Sequence, residues 1–157
     1  MDLLYSMVPL ALGVATPIII SSLGGLFSER SGIVNIALEG IMLVGAFAGA
    51  TSSILLEGSL GALAPWVGIL IGAFFGMLFS LIHAFASIHL KADQTISGTA
   101  LNMLSTGLTV YLCQIIFDAQ RSPNFQESFS KISVPVLSDI PVIGDLFFTD
   151  VYPTFFI

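Results

Sequence analysis

Four long apolar runs restrict what this sequence can fold into. They cover roughly residues 3–27, 33–56, 65–90 and 99–117. A helix of about 20 residues crosses the roughly 30 Å hydrocarbon core of a bilayer, so each run is long enough to span a membrane. The runs are continuous and rich in Leu, Ile, Ala and Gly, whereas a membrane β-barrel needs alternating apolar and polar positions. The sequence therefore predicts an all-α, polytopic transmembrane helix bundle with about four complete spans.

Charge is scarce along the whole chain. Only 9% of the 157 residues are charged, against about 25% in a typical soluble domain. Lipid must therefore cover much of the surface, and we expect a multi-pass protein of the cell membrane. The net charge is −6, and the four basic residues are dispersed, which leaves no basic patch for nucleic acid. The single cysteine, Cys113, lies in an apolar run and is expected to pack there.

The composition changes after the fourth run. Residues 118–150 contain three prolines and five acidic residues, which predicts an extramembrane loop. Residues 151–157 become apolar again, so we expect a fifth span to start there. On this interpretation residues 1–157 form a single transmembrane domain and are the N-terminal part of a longer protein.

Small residues recur at helical spacing in two of the runs. Gly68, Gly72 and Gly76 are four residues apart in the third run, and Gly45 and Gly49 repeat the spacing in the second. Small residues on one helix face let two backbones approach closely inside lipid. These five glycines are therefore predicted to be helix-packing residues.

Polar residues interrupt the start of the second run. A helix beginning near Gly32 would place Glu39 about 10 Å into the membrane, with Asn35 one turn earlier on the same face. Ionisable groups inside a bilayer are costly and usually mark a solute path or a specific helix contact. Three interpretations stay open, namely a polar strip that lines a passage, an interhelical hydrogen-bonded pair that fixes packing, and a Glu39 side chain that stays near the lipid headgroups.

A second polar stretch, residues 91–102, links the third and fourth runs. Its candidates for a solute path are Gln94, Thr95, Ser97 and Asn102. Polar or irregular backbone at membrane depth is tolerated only where protein or a water-filled cavity covers it. The alternative is a short solvated loop followed by a helix packed on its neighbours. The nearby His83 lies on the small-residue face of the third run and is predicted to be a packing residue.

Sequence signatures of catalysis are missing. The chain has no His-Glu-x-x-His pair, no Cys-x-x-Cys pair and no glycine-rich phosphate loop before a lysine. We therefore predict no catalytic residues, no metal site and no cofactor, and we expect that the chain is not an enzyme. Without a nucleotide loop the chain cannot power transport by itself.

Three segments carry a resemblance to a known family. They are residues 28–40 (SERSGIVNIALEG), 92–102 (ADQTISGTALN) and 137–144 (LSDIPVIG). In this order they closely resemble segments of permease subunits of ATP-binding-cassette importers. The branch is that of nucleosides and simple sugars, related to the ribose and branched-chain amino-acid permeases.

The resemblance implies a location, partners and a function. The protein would lie in the bacterial plasma membrane, with Arg30 and Lys91 on the cytosolic side. Residues 118–150 would face outward, where an extracytoplasmic substrate-binding lipoprotein docks. Cytosolic ATP-binding cassette subunits would drive transport of nucleosides or simple sugars, and a second permease subunit would complete the pore. Permeases of this branch are longer and carry a coupling helix beyond the matching part. The alternative is therefore a structural or assembly module that does not transport.

Overall fold

The computed structural model describes residues 2–124. The predicted external loop beyond residue 124 and the predicted start of a fifth span lie outside the described residues. Residues 2–23 and residues 24–124 belong to two different compact units. The described part of the first unit is helical, and the second unit contains the polar residues singled out above.

Every regular element within residues 2–124 is a helix, which confirms the predicted all-α fold class. The elements are α1 (Asp2–Arg30), α2 (Leu38–Leu60), a short 3-10 turn (Gly61–Leu63), α3 (Ala64–Ile88) and α4 (Gln94–Phe117).

Three continuous helical stretches are long and apolar enough to cross a membrane. They are Leu10–Arg30, Leu38–Ile88 and Gln94–Phe117. The second stretch has 51 residues and contains both α2 and α3. The number of complete spans stays a prediction, although α2 and α3, with 23 and 25 residues, each exceed the length of about 20 residues that one crossing needs.

Helices α2 and α3 approach each other through glycines. A Cβ atom added to Gly72 would lie 2.6 Å from the backbone oxygen of Gly45. One turn further along, a Cβ on Gly68 would lie 2.8 Å from the oxygen of Gly49. Gly76 is less crowded, because its nearest neighbour is Ile41, at 3.7 Å. The two backbones therefore touch directly along two turns, as the small-residue mode of membrane helix packing requires.

The apolar core of the second unit is small. Its buried members are Ala37, Val44, Phe79 and Leu101, with Ile41 packed against them. Many larger apolar side chains point outward instead; Leu70 is 71% exposed and Met103 is 74% exposed. Lipid solvates apolar side chains as well as a protein interior does, so a membrane bundle holds together by close packing and hydrogen bonds.

Two helix starts differ from the sequence-based expectation. The prediction that the second helix begins near Gly32 is wrong, because α2 begins at Leu38. Gly32 has a φ of +89°, and Asn35 turns its side chain onto the backbone of Ala37, so both residues favour a turn. Conversely, α4 begins at Gln94, before the predicted span at 99, because Asp93 caps it.

Candidate functional site

The two polar motifs meet in space. Residues 31–37, here called the connection, link α1 to α2 without helical structure. The first half of α4 lies against them, and the contact between the two is here called the polar junction. It is built by Gln94, Gly98 and Asn102 on α4.

Local hydrogen bonds fold the connection back on the end of α1. The hydroxyl of Ser28 donates to the backbone oxygen of Ile33 at 2.8 Å, and the backbone nitrogen of Ile33 donates to the oxygen of Ser28 at 3.2 Å. Further along, the side-chain oxygen of Asn35 accepts from the nitrogen of Ala37 at 3.1 Å. The Asn35 side chain thus fixes a turn and does not lie on α2.

Asn102 caps the start of α2, which has no cap from its own N-cap residue. The backbone N–H groups in the first turn of a helix have no intrahelical partner, and Ala37, at the N-cap position of α2, offers no side-chain bond. The side-chain oxygen of Asn102 accepts from the nitrogen of Gly40 at 2.8 Å. Its amide nitrogen donates to the oxygen of Ile36 at 3.0 Å, and this pair of bonds fixes the orientation of the amide.

Gln94 holds the middle of the connection. Its side-chain oxygen accepts from the backbone nitrogen of Val34 at 2.7 Å. Between the two amides, α4 approaches so closely that a Cβ on Gly98 would lie 2.8 Å from the Cβ of Ile36. Two α4 amides and one glycine therefore determine where the connection runs.

Asp93 sets the start of α4. One carboxylate oxygen of Asp93 accepts from the backbone nitrogens of Thr95 and Ile96, at 2.9 and 3.0 Å. This is the N-cap arrangement that satisfies two of the first unpaired N–H groups. The Thr95 side chain is exposed beside it.

Glu39 lies in the first turn of α2 and is exposed. The two residues after it face neighbouring helices: Gly40 contacts Asn102 of α4, and Ile41 contacts Gly76 of α3. Successive residues of a helix are rotated by about 100° around its axis. Glu39 therefore lies on the side of α2 that faces neither α3 nor α4. The structure gives its carboxylate no hydrogen-bond or ion-pair partner within residues 2–124.

Three hydroxyls form a stripe on α4. Thr95, Thr99 and Thr106 are exposed, and their spacing of four and seven residues places them on one helix face. The hydroxyl of Thr99 donates to the oxygen of Thr95 and that of Thr106 to the oxygen of Asn102, at 2.8 and 2.9 Å. Since the hydroxyl protons of Thr99 and Thr106 are used within the helix, the lone pairs of these two hydroxyl oxygens remain as acceptors.

Two buried polar residues, Ser105 and His83, are not among the predicted solute-path residues. Ser105 is fully buried, and its hydroxyl oxygen would lie 2.8 Å from a Cβ on Gly40. His83 is also buried, with its Nδ1 3.1 Å from the hydroxyl of Ser97. Gly98, Ser105 and Thr109 are seven and four residues apart, which places them on one helix face, and this pattern of small buried residues would have identified the packed face of α4.

A groove between α2, α3 and α4 has a volume of about 450 Å³. Its walls are largely apolar, with the phenyl rings of Phe47, Phe75 and Phe79 among them. Ligand sites for polar molecules need placed donors and acceptors, so this groove does not suit a polar solute. Among the described residues, the exposed polar groups near the helix starts are the better candidates.

The chain resembles known proteins over most of its length. Residues 8–142 match the family described as branched-chain amino acid transport system / permease component. The guanosine ABC transporter permease protein NupQ of Bacillus subtilis is 47% identical over 153 residues, which are 98% of this chain and 48% of that protein. The nucleoside ABC transporter permease protein NupC of Lactococcus lactis is 47% identical over 86% of this chain and 42% of its own length.

A more distant relative is a putative glucose ABC transporter permease protein of Haloferax volcanii. It is 36% identical over 85% of this chain and 39% of its own length. The chain thus spans less than half the length of each of these relatives. No solved structure matches it.

The family match and the fold agree. The match covers both polar motifs, and the described helices include stretches long and apolar enough to cross a bilayer. The chain is a multi-pass membrane protein that belongs to the branched-chain amino acid transport system / permease component family.

Proposed function

We propose that this chain forms part of the translocation path of an ATP-driven importer of nucleosides. The observation that carries the proposal is the 47% identity with a guanosine permease over 98% of this chain. The putative glucose permease is less similar, at 36% identity, which favours a nucleoside over a simple sugar as the solute.

The chemistry of the exposed polar groups supports the same solute. A nucleoside offers N–H and O–H donors on its base and ribose. The Glu39 carboxylate and the oxygens of Thr95, Thr99 and Thr106 are acceptors on exposed faces. Single acceptors of this kind bind a passing solute weakly, and weak binding allows release.

The candidate residues divide into two groups by their contacts. Gln94 and Asn102 already bond to the backbone of the connection and of α2. Their part in transport is therefore to hold the connection in place. We assign direct solute contact to Glu39 and Thr95, and we assign a supporting role to Asn35 and Ser97.

Transport needs partners that supply energy and capture solute. The sequence contains no phosphate-binding loop, so ATP hydrolysis belongs to cytosolic ATP-binding cassette subunits and the permease itself is not an enzyme. A second permease subunit would complete the pore, and an extracytoplasmic lipoprotein would deliver the solute. Arg30 and Lys91 would then lie on the cytosolic side.

Uptake measurements test the proposal directly. The permease that carries these residues would be produced with its partner subunits in a bacterium that lacks its own nucleoside importers. We expect saturable uptake of radiolabelled guanosine, which is lost when the phosphate-loop lysine of the ATP-binding subunit is replaced by alanine. Unlabelled nucleosides should compete with guanosine, and glucose and leucine should not. Uptake that responds to glucose alone would contradict the proposed solute.

A second candidate function is a structural or assembly module that does not transport. The observation that favours it is that the Gln94 and Asn102 amides already bond to backbone atoms of the connection and of α2. In this case replacement of Glu39 or Thr95 would leave uptake by the assembled transporter unchanged. Replacements that disturb helix packing would then act only through the amount of complex recovered.

A further inference from the structure

We propose that His83 is a positioning residue for the polar junction and that it acts through Ser97. Its expected effect on transport rests on the proposed function, whereas its effect on the position of the connection does not. His83 lies on α3, and none of its atoms contributes to the two amide contacts that hold the connection.

The contact between His83 and Ser97 joins α3 to the first turn of α4. His83 is only 2% exposed, and its Nδ1 lies 3.1 Å from the hydroxyl oxygen of Ser97. The other ring nitrogen, Nε2, is buried without a hydrogen-bond partner among the described residues. A buried N–H group without an acceptor is rarer than an unpaired lone pair. The neutral tautomer with its proton on Nδ1, donating to Ser97, is therefore favoured.

The unpaired Nε2 argues against a role in packing alone. A buried polar atom without a partner costs free energy that an apolar ring of similar shape would avoid. The bond from Nδ1 to Ser97 is the contact that offsets this cost. The hydrogen bond to Ser97 at the start of α4 is thus the reason for a histidine at position 83.

The start of α4 in turn holds the connection. Gly98 follows Ser97 in the chain and packs against Ile36. Gln94 lies one turn before this position and Asn102 one turn after it, and both bond to backbone atoms at 2.7 and 2.8 Å. Hydrogen bonds of this length weaken steeply when the helix turns or slides. His83 therefore controls, through Ser97, whether both amides reach the connection.

Cysteine labelling tests this assignment independently of transport. Val34 is 47% exposed and lies on the connection, so a Val34→Cys variant reports on its position. The native Cys113 is buried and contributes little background. In the assembled transporter, we expect His83→Phe and Ser97→Ala each to speed N-ethylmaleimide labelling at position 34 by about threefold or more, in line with the loss of one hydrogen bond. The double variant should be no faster than the faster single variant.

Matched controls separate positioning from general loosening. His83→Asn keeps a donor close to the place of Nδ1, so it should label at the parental rate. Ser87→Ala removes a buried hydroxyl without a hydrogen-bond partner in the described part of the chain and should also have no effect. A cysteine at Leu63, which is 62% exposed in the 3-10 turn, should label equally in all variants.

The outcomes are distinct from those of the uptake test. Unchanged labelling at position 34 in both His83→Phe and Ser97→Ala would overturn the assignment, as would an equal rise at position 63. If labelling changes as expected, guanosine uptake should show a lower maximal rate with an unchanged KM. Failure of the parent transporter to take up any nucleoside would contradict the proposed function alone.

Discussion

The side-chain oxygen of Asn102 lies 2.8 Å from the backbone nitrogen of Gly40. This contact joins the third turn of α4 to the first turn of α2, two places that are 62 residues apart in the chain. It satisfies an N–H group that α2 cannot pair by itself. The start of one long apolar helix is thus capped by a side chain of another helix.

Replacement of Asn102 by alanine should destabilise the protein by about 1–3 kcal/mol. The change removes the cap of Gly40 and leaves the oxygen of Ile36 without its donor, and both losses carry a cost. Thermal unfolding of the purified permease in detergent measures the effect. Thr106→Ala removes a hydroxyl that bonds only within α4 and serves as the control. Equal unfolding temperatures for the two variants would contradict the capping role.

Replacement of Gly72 by alanine should separate α2 from α3. The new Cβ would lie 2.6 Å from the backbone oxygen of Gly45, and the backbone there cannot move aside as a flexible side chain would. We expect a loss of about 1–3 kcal/mol from overpacking, measured as a lower unfolding temperature.

The matched control is Gly107→Ala on α4. A Cβ at Gly107 would meet no atom within 4 Å, and alanine is a better helix former than glycine by about 0.5–1 kcal/mol. This variant should therefore be slightly more stable than the parent. If both alanine variants were stabilised, the close approach of α2 and α3 would be refuted.

Replacement of Asp93 by alanine should cost about 1 kcal/mol, because α4 loses the cap on Thr95 and Ile96. Asp93→Asn keeps a side-chain oxygen in the same place and should retain most of the stability. Chemical unfolding monitored by helical circular dichroism compares the two. An asparagine variant as unstable as the alanine variant would indicate that the charge of Asp93, and not its hydrogen bonds, matters.

Replacement of Glu39 by glutamine should lower guanosine uptake with little loss of stability. The carboxylate is exposed and has no partner in residues 2–124, and its interaction with the dipole of α2 contributes only about 0.3–1 kcal/mol. Uptake rates per assembled transporter, with unfolding temperatures in parallel, check this. Glu29→Gln removes an exposed carboxylate at the end of α1 and should leave uptake unchanged. An equal effect of both changes would point to overall charge.

The fold class follows from the sequence because it depends on composition. Long apolar runs with few charges exclude a soluble fold, and continuous runs exclude alternating strands. The start of α4 can also be predicted from the local sequence, since Asp93 is an N-cap residue directly before the helix. The expectation of a later start gave more weight to the polarity of residues 94–98 than to this signal.

The start of α2 could not be predicted in the same way. It depends on the positive φ of Gly32 and on Asn102, a partner that is distant in the sequence. The role of Asn102 was ambiguous for the same reason, because an amide that lines a path and an amide that caps a helix are identical in sequence. Only the position of Gly40 distinguishes them.

The direct backbone contact of α2 with α3 limits how this part of the molecule can move. Each helix places glycines where the carbonyl oxygens of the other helix protrude, so sliding one helix along the other would drive oxygen atoms into the opposite main chain. Any motion of this part of the protein must therefore carry the two helices together. Bending is then left to the non-helical residues on either side of this helix pair, 31–37 before α2 and 89–93 after α3.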